Sequence, residues 1–173
     1  MDRTDASFRI DSYKFLPRSM IPEFKAFPYR ADDLVKASPS VALKNAKVAL
    51  LTSGGLYLKD RQSSFDVDRE RQEPFWGDPT YRLIPRDVRH GEIAVAHLHL
   101  NPEDILADFN VALPLEVFAE LEREGEIGVL AQNNYSFMGY QGRSTEAWHD
   151  TYGPELAKRL QEDGVNLLIL APT

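Results

Sequence analysis

Three short runs of this chain are apolar at almost every consecutive position: 47–51 (KVALL), 128–131 (GVLA) and 166–170 (NLLIL). A strand with one face in water alternates apolar and polar residues. A strand that is apolar without alternation has both faces covered. Such strands belong to largely parallel sheets, whose crossover connections lay helices on both faces. The intervening sequence supplies those helices. Pro114 opens one in which Leu115, Phe118 and Leu121 recur at helical spacing, and Gly125 is placed to stop it just ahead of the strand at 127–131. Asn101-Pro102-Glu103-Asp104 is a capped start for a short helix over 103–108. Residues 144–164 carry Leu156, Ala157 and Leu160 on one face; Pro154 either begins this helix in its first turn or kinks a longer one. Further short strands are expected at 81–84 and 93–98. The expected fold is α/β, a mostly parallel sheet with helices on both faces (three-layer α/β/α), over residues 47–173.

Residues 1–46 read differently. Phe8, Tyr13, Phe15, Phe24, Phe27 and Tyr29 follow no period and lie among Pro17, Pro22, Pro28 and Pro39. Prolines that close together forbid a long helix. The expectation is an N-terminal arm with short helices at 12–20 and 31–36, packed on the domain or on a neighbouring subunit. Residues 60–78 are polar and acidic and read as one long loop. That loop is either solvated or a lid anchored by Phe75 and Trp76.

Charge and composition narrow the function. The net charge of −7 argues against a nucleic-acid backbone as partner, since phosphate binding needs a basic surface. No apolar run approaches the roughly 20 residues of a membrane helix, and the N-terminus has no apolar signal core, so a cytoplasmic protein without a membrane partner is expected. The 173 residues contain no cysteine, which removes disulfides, thiolate metal ligands and a thiol nucleophile encoded within them.

Two stretches are placed for ligand binding, because open α/β sheets use the crevice beyond the carboxyl ends of their strands. One is Thr52-Ser53-Gly54-Gly55, directly after the first strand, whose backbone N–H groups could hold a carboxylate. The other reading is a tight turn that needs glycine torsions; without a Lys-Ser/Thr pair it is not a phosphate loop. The second stretch is the polar run after residue 131, in which Asn133, Asn134 and Ser136 would orient a zwitterion through neutral hydrogen bonds or, alternatively, close the loop on itself. His97 and His99 form an H-x-H pair leaving a strand. With Asp108 they could act in acid–base chemistry or hold a metal, although structural hydrogen bonding is the commoner role of such histidines. Trp148 and His149 are expected to pack rather than to react.

Three segments together resemble one family: KVALLTSGGLYLKD (47–60), DPTYRLIP (78–85), and GEIGVLAQNNYSFMGYQG (125–142) with PELAKRLQEDGVNLLILAPT (154–173). They are similar to component B, the selenoprotein B of glycine, sarcosine and betaine reductases, with D-proline reductase as a close relative. The resemblance spans about residues 10–173, and Tyr135-Ser136-Phe137-Met138-Gly139-Tyr140 is its most specific part. It implies the N-terminal part of a reductase fold and reductive cleavage of a carbon–nitrogen bond in a small amino-acid-like substrate. A selenocysteine or cysteine attacks the carbon alpha to the carboxylate, and a thiol carrier supplies electrons. Partners implied are that carrier or a further reductase subunit, in a homo- or hetero-oligomer.

The resemblance also places the family's nucleophile just after the last strand, where this chain reaches Leu170-Ala171-Pro172-Thr173. The leading expectation is a UGA selenocysteine codon read as a stop after Thr173. The alternatives are a catalytic half on a separate chain and a non-catalytic binding or scaffold subunit. An oxidoreductase is implied once the chain is completed, with the 173 residues alone binding without turnover. A racemase-like or hydrolytic reading fits less well, because paired cysteines and a G-x-S-x-G elbow are both missing.

Overall fold

The computed structural model describes residues 14, 17–19, 21–26, 41–73, 76–142 and 144–173. The chain divides into two compact units, Met1–Ser38 and Pro39–Thr173. In the first, α1 (Ile21–Ala26) is a short helix. The helix expected at 31–36, most of the one expected at 12–20, and Phe75 of the expected lid lie outside the described residues.

The second unit is built on β1 (Lys47–Thr52), which is paired along both edges. On one edge β7 (Leu167–Ala171) runs parallel to it, from Val48↔Leu167 to Thr52↔Ala171. The other edge is shared by two strands in succession. β5 (Val129–Leu130) pairs with Lys47 and Val48, then β6 (Asn133–Phe137) pairs with Leu51 and Thr52, both in parallel. β3 (Tyr81–Pro85) lies outside β6 and is antiparallel to it, so the sheet is mixed and mostly parallel. A separate antiparallel pair joins β2 (Leu56–Leu58) to β4 (Ile93–Val95).

Both faces of β1 are covered, which accounts for its lack of alternation. Val48 and Leu50 enter one core with Leu56, Ile84, Phe109, Leu113 and Leu115. Ala49 and Leu51 enter another with Tyr135, Leu156 and Leu160. The first core is covered by α3 (Pro102–Ala107) through Ile105 and by α4 (Leu115–Glu124) through Phe118 and Leu121. Asn101 caps α3 by accepting from the Glu103 N–H, and Gly125 closes α4 in a left-handed conformation, both as the sequence suggests.

The second core is covered by α6 (Gly153–Glu162). This helix continues α5 (Thr145–Ala147) through one π turn, Trp148–Tyr152. The π turn ends with the Gly153 N–H on the Trp148 carbonyl, immediately before Pro154. The proline therefore lies within a longer helix whose hydrogen-bond ladder is already widened at that point. The Trp148 ring stacks on Phe137, with centroids 4.9 Å apart.

Two expectations are corrected. Residues 133–137 form a strand and not a polar loop. From Val48 to Leu51 β1 advances three residues while its partner advances five, from Leu130 to Tyr135. The surplus interrupts the ladder, and the side chain of Asn134 fills the gap. Its Oδ1 accepts from the Leu50 N–H at 2.9 Å and its Nδ2 donates to the Ala131 carbonyl at 3.2 Å. Ser136 is used in the same way: its Oγ accepts from the Leu56 N–H at 2.7 Å, fastening β2 to β6. Both side chains are fully buried. The polar letters of NNYSF thus satisfy backbone groups in a core strand rather than solvent.

The second correction is that residues 60–78 contain α2 (Val67–Gln72), started by Asp66, whose carboxylate accepts from the Arg69 N–H at 3.0 Å. Its only buried residue is Glu70, so it has no apolar stripe to announce it.

Asn134→Ala leaves two buried backbone groups without partners, at a cost of roughly 1–3 kcal/mol each. Urea unfolding should show a loss of about 2–6 kcal/mol. A variant as stable as the parent would remove Asn134 from its place in the ladder.

Candidate functional site

The register of β1 sets Thr52 opposite both Ser136 and Ala171. Three strands therefore reach their carboxyl ends at one level, and the segments beyond them, 53–55, 138–142 and 172–173, meet there. Thr173 is held directly in this crevice. Its N–H donates to Ser53 Oγ at 2.8 Å, and its Oγ1 lies 3.2 Å from Thr52 Oγ1. The loop after β4 forms the adjoining wall, with the Ala96 N–H on the Gly55 carbonyl at 2.9 Å.

Gly55 has φ 65°, and a Cβ there would stand 2.4 Å from the Ala96 carbonyl oxygen, so only glycine fits this turn. Gly139 borders the crevice from the β6 side. A Cβ on it would lie 3.3 Å from His97 Nε2 and 3.4 Å from the Ser53 carbonyl oxygen.

The turn's backbone donors are already engaged. Ser53 N–H reaches the Ala171 carbonyl at 3.4 Å, Gly54 N–H reaches Thr52 Oγ1 at 3.1 Å, and Gly55 N–H reaches the Phe137 carbonyl at 3.1 Å. The polar side chains at this end are the Ser53 hydroxyl, which accepts from the Thr173 N–H and donates weakly to the Thr173 carbonyl at 3.5 Å, the Thr52–Thr173 hydroxyl pair and the His97 ring.

The sequence candidates are thus only partly brought together. Thr52, Ser53, Gly54, Gly55 and Ser136 share this end of the sheet, with Asn134 one β-repeat below, inside the ladder. Asn133 begins β6 at its opposite end, where it pairs with Pro85 and its Nδ2 lies 3.3 Å from Asp163 Oδ2. Asp108 does not join His97 and His99. It faces His90 Nε2 at 3.2 Å and accepts from the Asn110 N–H at 2.9 Å. Among the described residues no three His, Asp or Glu side chains are grouped to hold a metal.

His97 is half-buried, and burial, with His99 beside it, holds its imidazole below the ordinary range, so it is neutral near neutral pH. The residue that sequence reasoning missed is Glu70. Its side chain is 3% exposed, Oε2 has no hydrogen-bond partner among the described residues, and Oε1 lies 3.7 Å from His99 Nε2. In DVDRERQ it reads as one more solvated acid; only the fold shows its burial. A separate cavity of about 690 Å³ opens between residues 76–80 and the α5–α6 helix, lined by Asp66, Trp76, Asp78, Thr80, Ser144 and Tyr152 among others. It includes none of the residues 52–55.

The chain is a mixed, mostly parallel α/β protein whose parallel strands end together, the place where open α/β sheets bind ligands. Residues 21–173 match the family described as glycine/sarcosine/betaine reductase selenoprotein B, and the chain belongs to that family. It is 32% identical over 128 residues to D-proline reductase subunit gamma of Acetoanaerobium sticklandii, covering 74% of this chain and 49% of that one. It is 31% identical over 150 residues to sarcosine reductase complex component B subunit beta of Peptoclostridium acidaminophilum, covering 85% and 33%. Against glycine reductase complex component B subunit gamma of Symbiobacterium thermophilum it is 33% identical over 154 residues, covering 88% and 34%. The chain thus spans between a third and a half of the length of these relatives. No solved structure matches it.

Burial raises the Glu70 pKa above 4.5, so over the interval between that value and the raised one the folded chain keeps a proton that the unfolded chain has released. The stability this proton contributes is fully present below 4.5 and is lost as pH rises through the folded value. Urea unfolding across pH should show wild-type stability falling relative to Glu70→Gln as pH rises above 4.5, then levelling. A difference independent of pH would contradict the burial of this carboxyl.

Proposed function

We propose that the chain is the substrate cradle of an amino-acid reductase component. The complex is a selenol- or thiol-dependent oxidoreductase that reductively cleaves the C–N bond of a glycine-, betaine- or proline-like substrate. Family membership and the reductase names of the relatives support this class. The carrying observation is the hydrogen bond from Thr173 to Ser53, which ties the segment after β7 into the crevice at the strand ends.

In this reading the substrate carboxylate lies against the Ser53 hydroxyl and the Thr52–Thr173 pair. Gly54 and Gly55 let the turn approach closely. Asn134 and Ser136 hold β6 at the level the crevice requires. The chain has no cysteine, so the nucleophile is a selenolate or thiolate brought beside Thr173 by further chain or by a partner subunit. That group bonds to the carbon alpha to the carboxylate. The C–N electron pair leaves with nitrogen, which takes up a proton where it needs one. A thiol of the carrier then attacks the selenium or sulfur; the bond to carbon breaks, its electron pair and a proton stay on that carbon as the reduced acid leaves, and a second thiol of the carrier closes a disulfide and returns the nucleophile.

A second reading, a ligand-binding or scaffold subunit without its own chemistry, draws on the same lack of cysteine. The two readings differ in whether turnover appears when a selenol- or thiol-bearing partner is added.

Titration of the protein with glycine, sarcosine, betaine and D-proline, followed by amide NMR, should shift Ser53, Gly54 and Thr173 for at least one of the four. Ser53→Ala should weaken that binding by roughly tenfold or more, as expected for loss of a hydrogen bond to a charged group. Absence of any shift at these amides would remove the crevice as the substrate site. Incubated with dithiothreitol, the 173 residues alone should release no amine from glycine, sarcosine or betaine and should not open the D-proline ring. Release would show that the nucleophile lies among them.

A further inference from the structure

The loop after β4 is fastened to the crevice through Ala96 and Gly55, and His97 is the next residue. Its ring edge carrying Nε2 lies against Gly139, at the point that also faces the Ser53 carbonyl. On the other side of the ring, the His99 backbone N–H donates to Nδ1 at 3.2 Å. A ring nitrogen that accepts a hydrogen bond carries no proton, so the neutral ring holds its proton on Nε2. That nitrogen has no protein acceptor within hydrogen-bond distance among the described residues.

We propose that the Nε2–H of His97 donates a hydrogen bond to the carboxylate of the substrate in this crevice, with His99 and Glu70 as positioning residues that fix which nitrogen carries the proton. The proposal rests on the crevice being the substrate site.

The positioning has a structural chain behind it. Glu70, on α2, stands with Oε1 3.7 Å from His99 Nε2 and, among the described residues, with no partner for Oε2, so His99 is the cation-capable group it faces. Arg71 and Asp78 are the other charged groups acting on Glu70, and His99 is the one acting on His97. A neutral donor suits the role. It orients a carboxylate without adding a charge that would also hold the product acid after the amine has gone. Gly139 fits the same assignment, because a side chain there would occupy the space between His97 and Ser53.

The test uses the ¹⁵N-labelled protein. Long-range ¹H–¹⁵N spectra of the histidine rings near neutral pH should show His97 neutral with its proton on Nε2. Adding whichever of glycine, sarcosine, betaine or D-proline binds should shift the Nε2 resonance. His97→Gln, which keeps an N–H near the same place, should bind within about threefold of wild type. His97→Phe should lose roughly tenfold or more. Glu70→Ala should mix the two His97 tautomers, and Glu70→Gln should restore one; a structural defect alone would lower the melting temperature without moving the tautomer signal.

A proton on Nδ1, a cationic ring near neutral pH, or unaltered binding by folded His97→Phe would overturn the inference. A ligand that shifts the Ser53 and Gly54 amides but leaves His97 Nε2 unmoved would also overturn it, while sparing the crevice. If His97 holds its proton on Nε2 and none of the four compounds shifts any crevice resonance, the functional reading fails, and the ligand assigned to His97 fails with it.

Discussion

One buried amide decides whether the sheet can exist in this form. β1 pairs with β5 and then with β6 along a single edge, but the partner has two residues too many between them. Without a substitute acceptor, the Leu50 N–H would face a gap in a strand buried from Val48 to Thr52. Asn134 supplies that acceptor and returns its own N–H to Ala131, so the surplus is absorbed as a local break rather than a shift in register. A shift by one residue would turn every β6 side chain to the opposite face. Tyr135 would leave the core beneath α6, and Ser136 would lose Leu56.

The crevice inherits its geometry from that register. Because Thr52, Ser136 and Ala171 stand level, three loops leave the sheet side by side, close enough for Thr173 to meet Thr52 and Ser53. The same closeness consumes the backbone N–H groups of the turn. A turn that looks suited to anion binding by backbone donors therefore leaves only side chains for such a role: two threonines, a serine and a histidine whose Nδ1 accepts from its own loop. These are neutral groups. In the function proposed above they would orient a substrate carboxylate that is later released as a product carboxylate.

How much of this was legible in the sequence depends on what each residue answers to. Strands covered on both faces and capped helices follow local rules, so 47–51, 166–170 and the helices after Asn101 and Pro114 are readable. Asn133–Phe137 was not, since its polar side chains answer to backbone groups on β1 and β2, distant in sequence. The α2 helix was hidden for a related reason: its buried position is an acid. Of the candidate site, the position of Thr52 and Ser53 just beyond a buried strand was readable, whereas their level with Thr173 is set by the pairing of β7 beside β1. The separation of Asp108 from His97, and of Asn133 from the crevice, follows from loop paths that no spacing encodes. The family resemblance, carried by the segment around Tyr135–Tyr140, matched the family to which residues 21–173 belong.

The most direct test of the account is a crystal structure of the protein with the tightest binder among glycine, sarcosine, betaine and D-proline. The account predicts the ligand carboxylate within hydrogen-bond distance of Ser53 Oγ and His97 Nε2, beside Thr173. Density instead in the cavity lined by Trp76 and Asp78, with the crevice at Ser53 free of ligand, would contradict it.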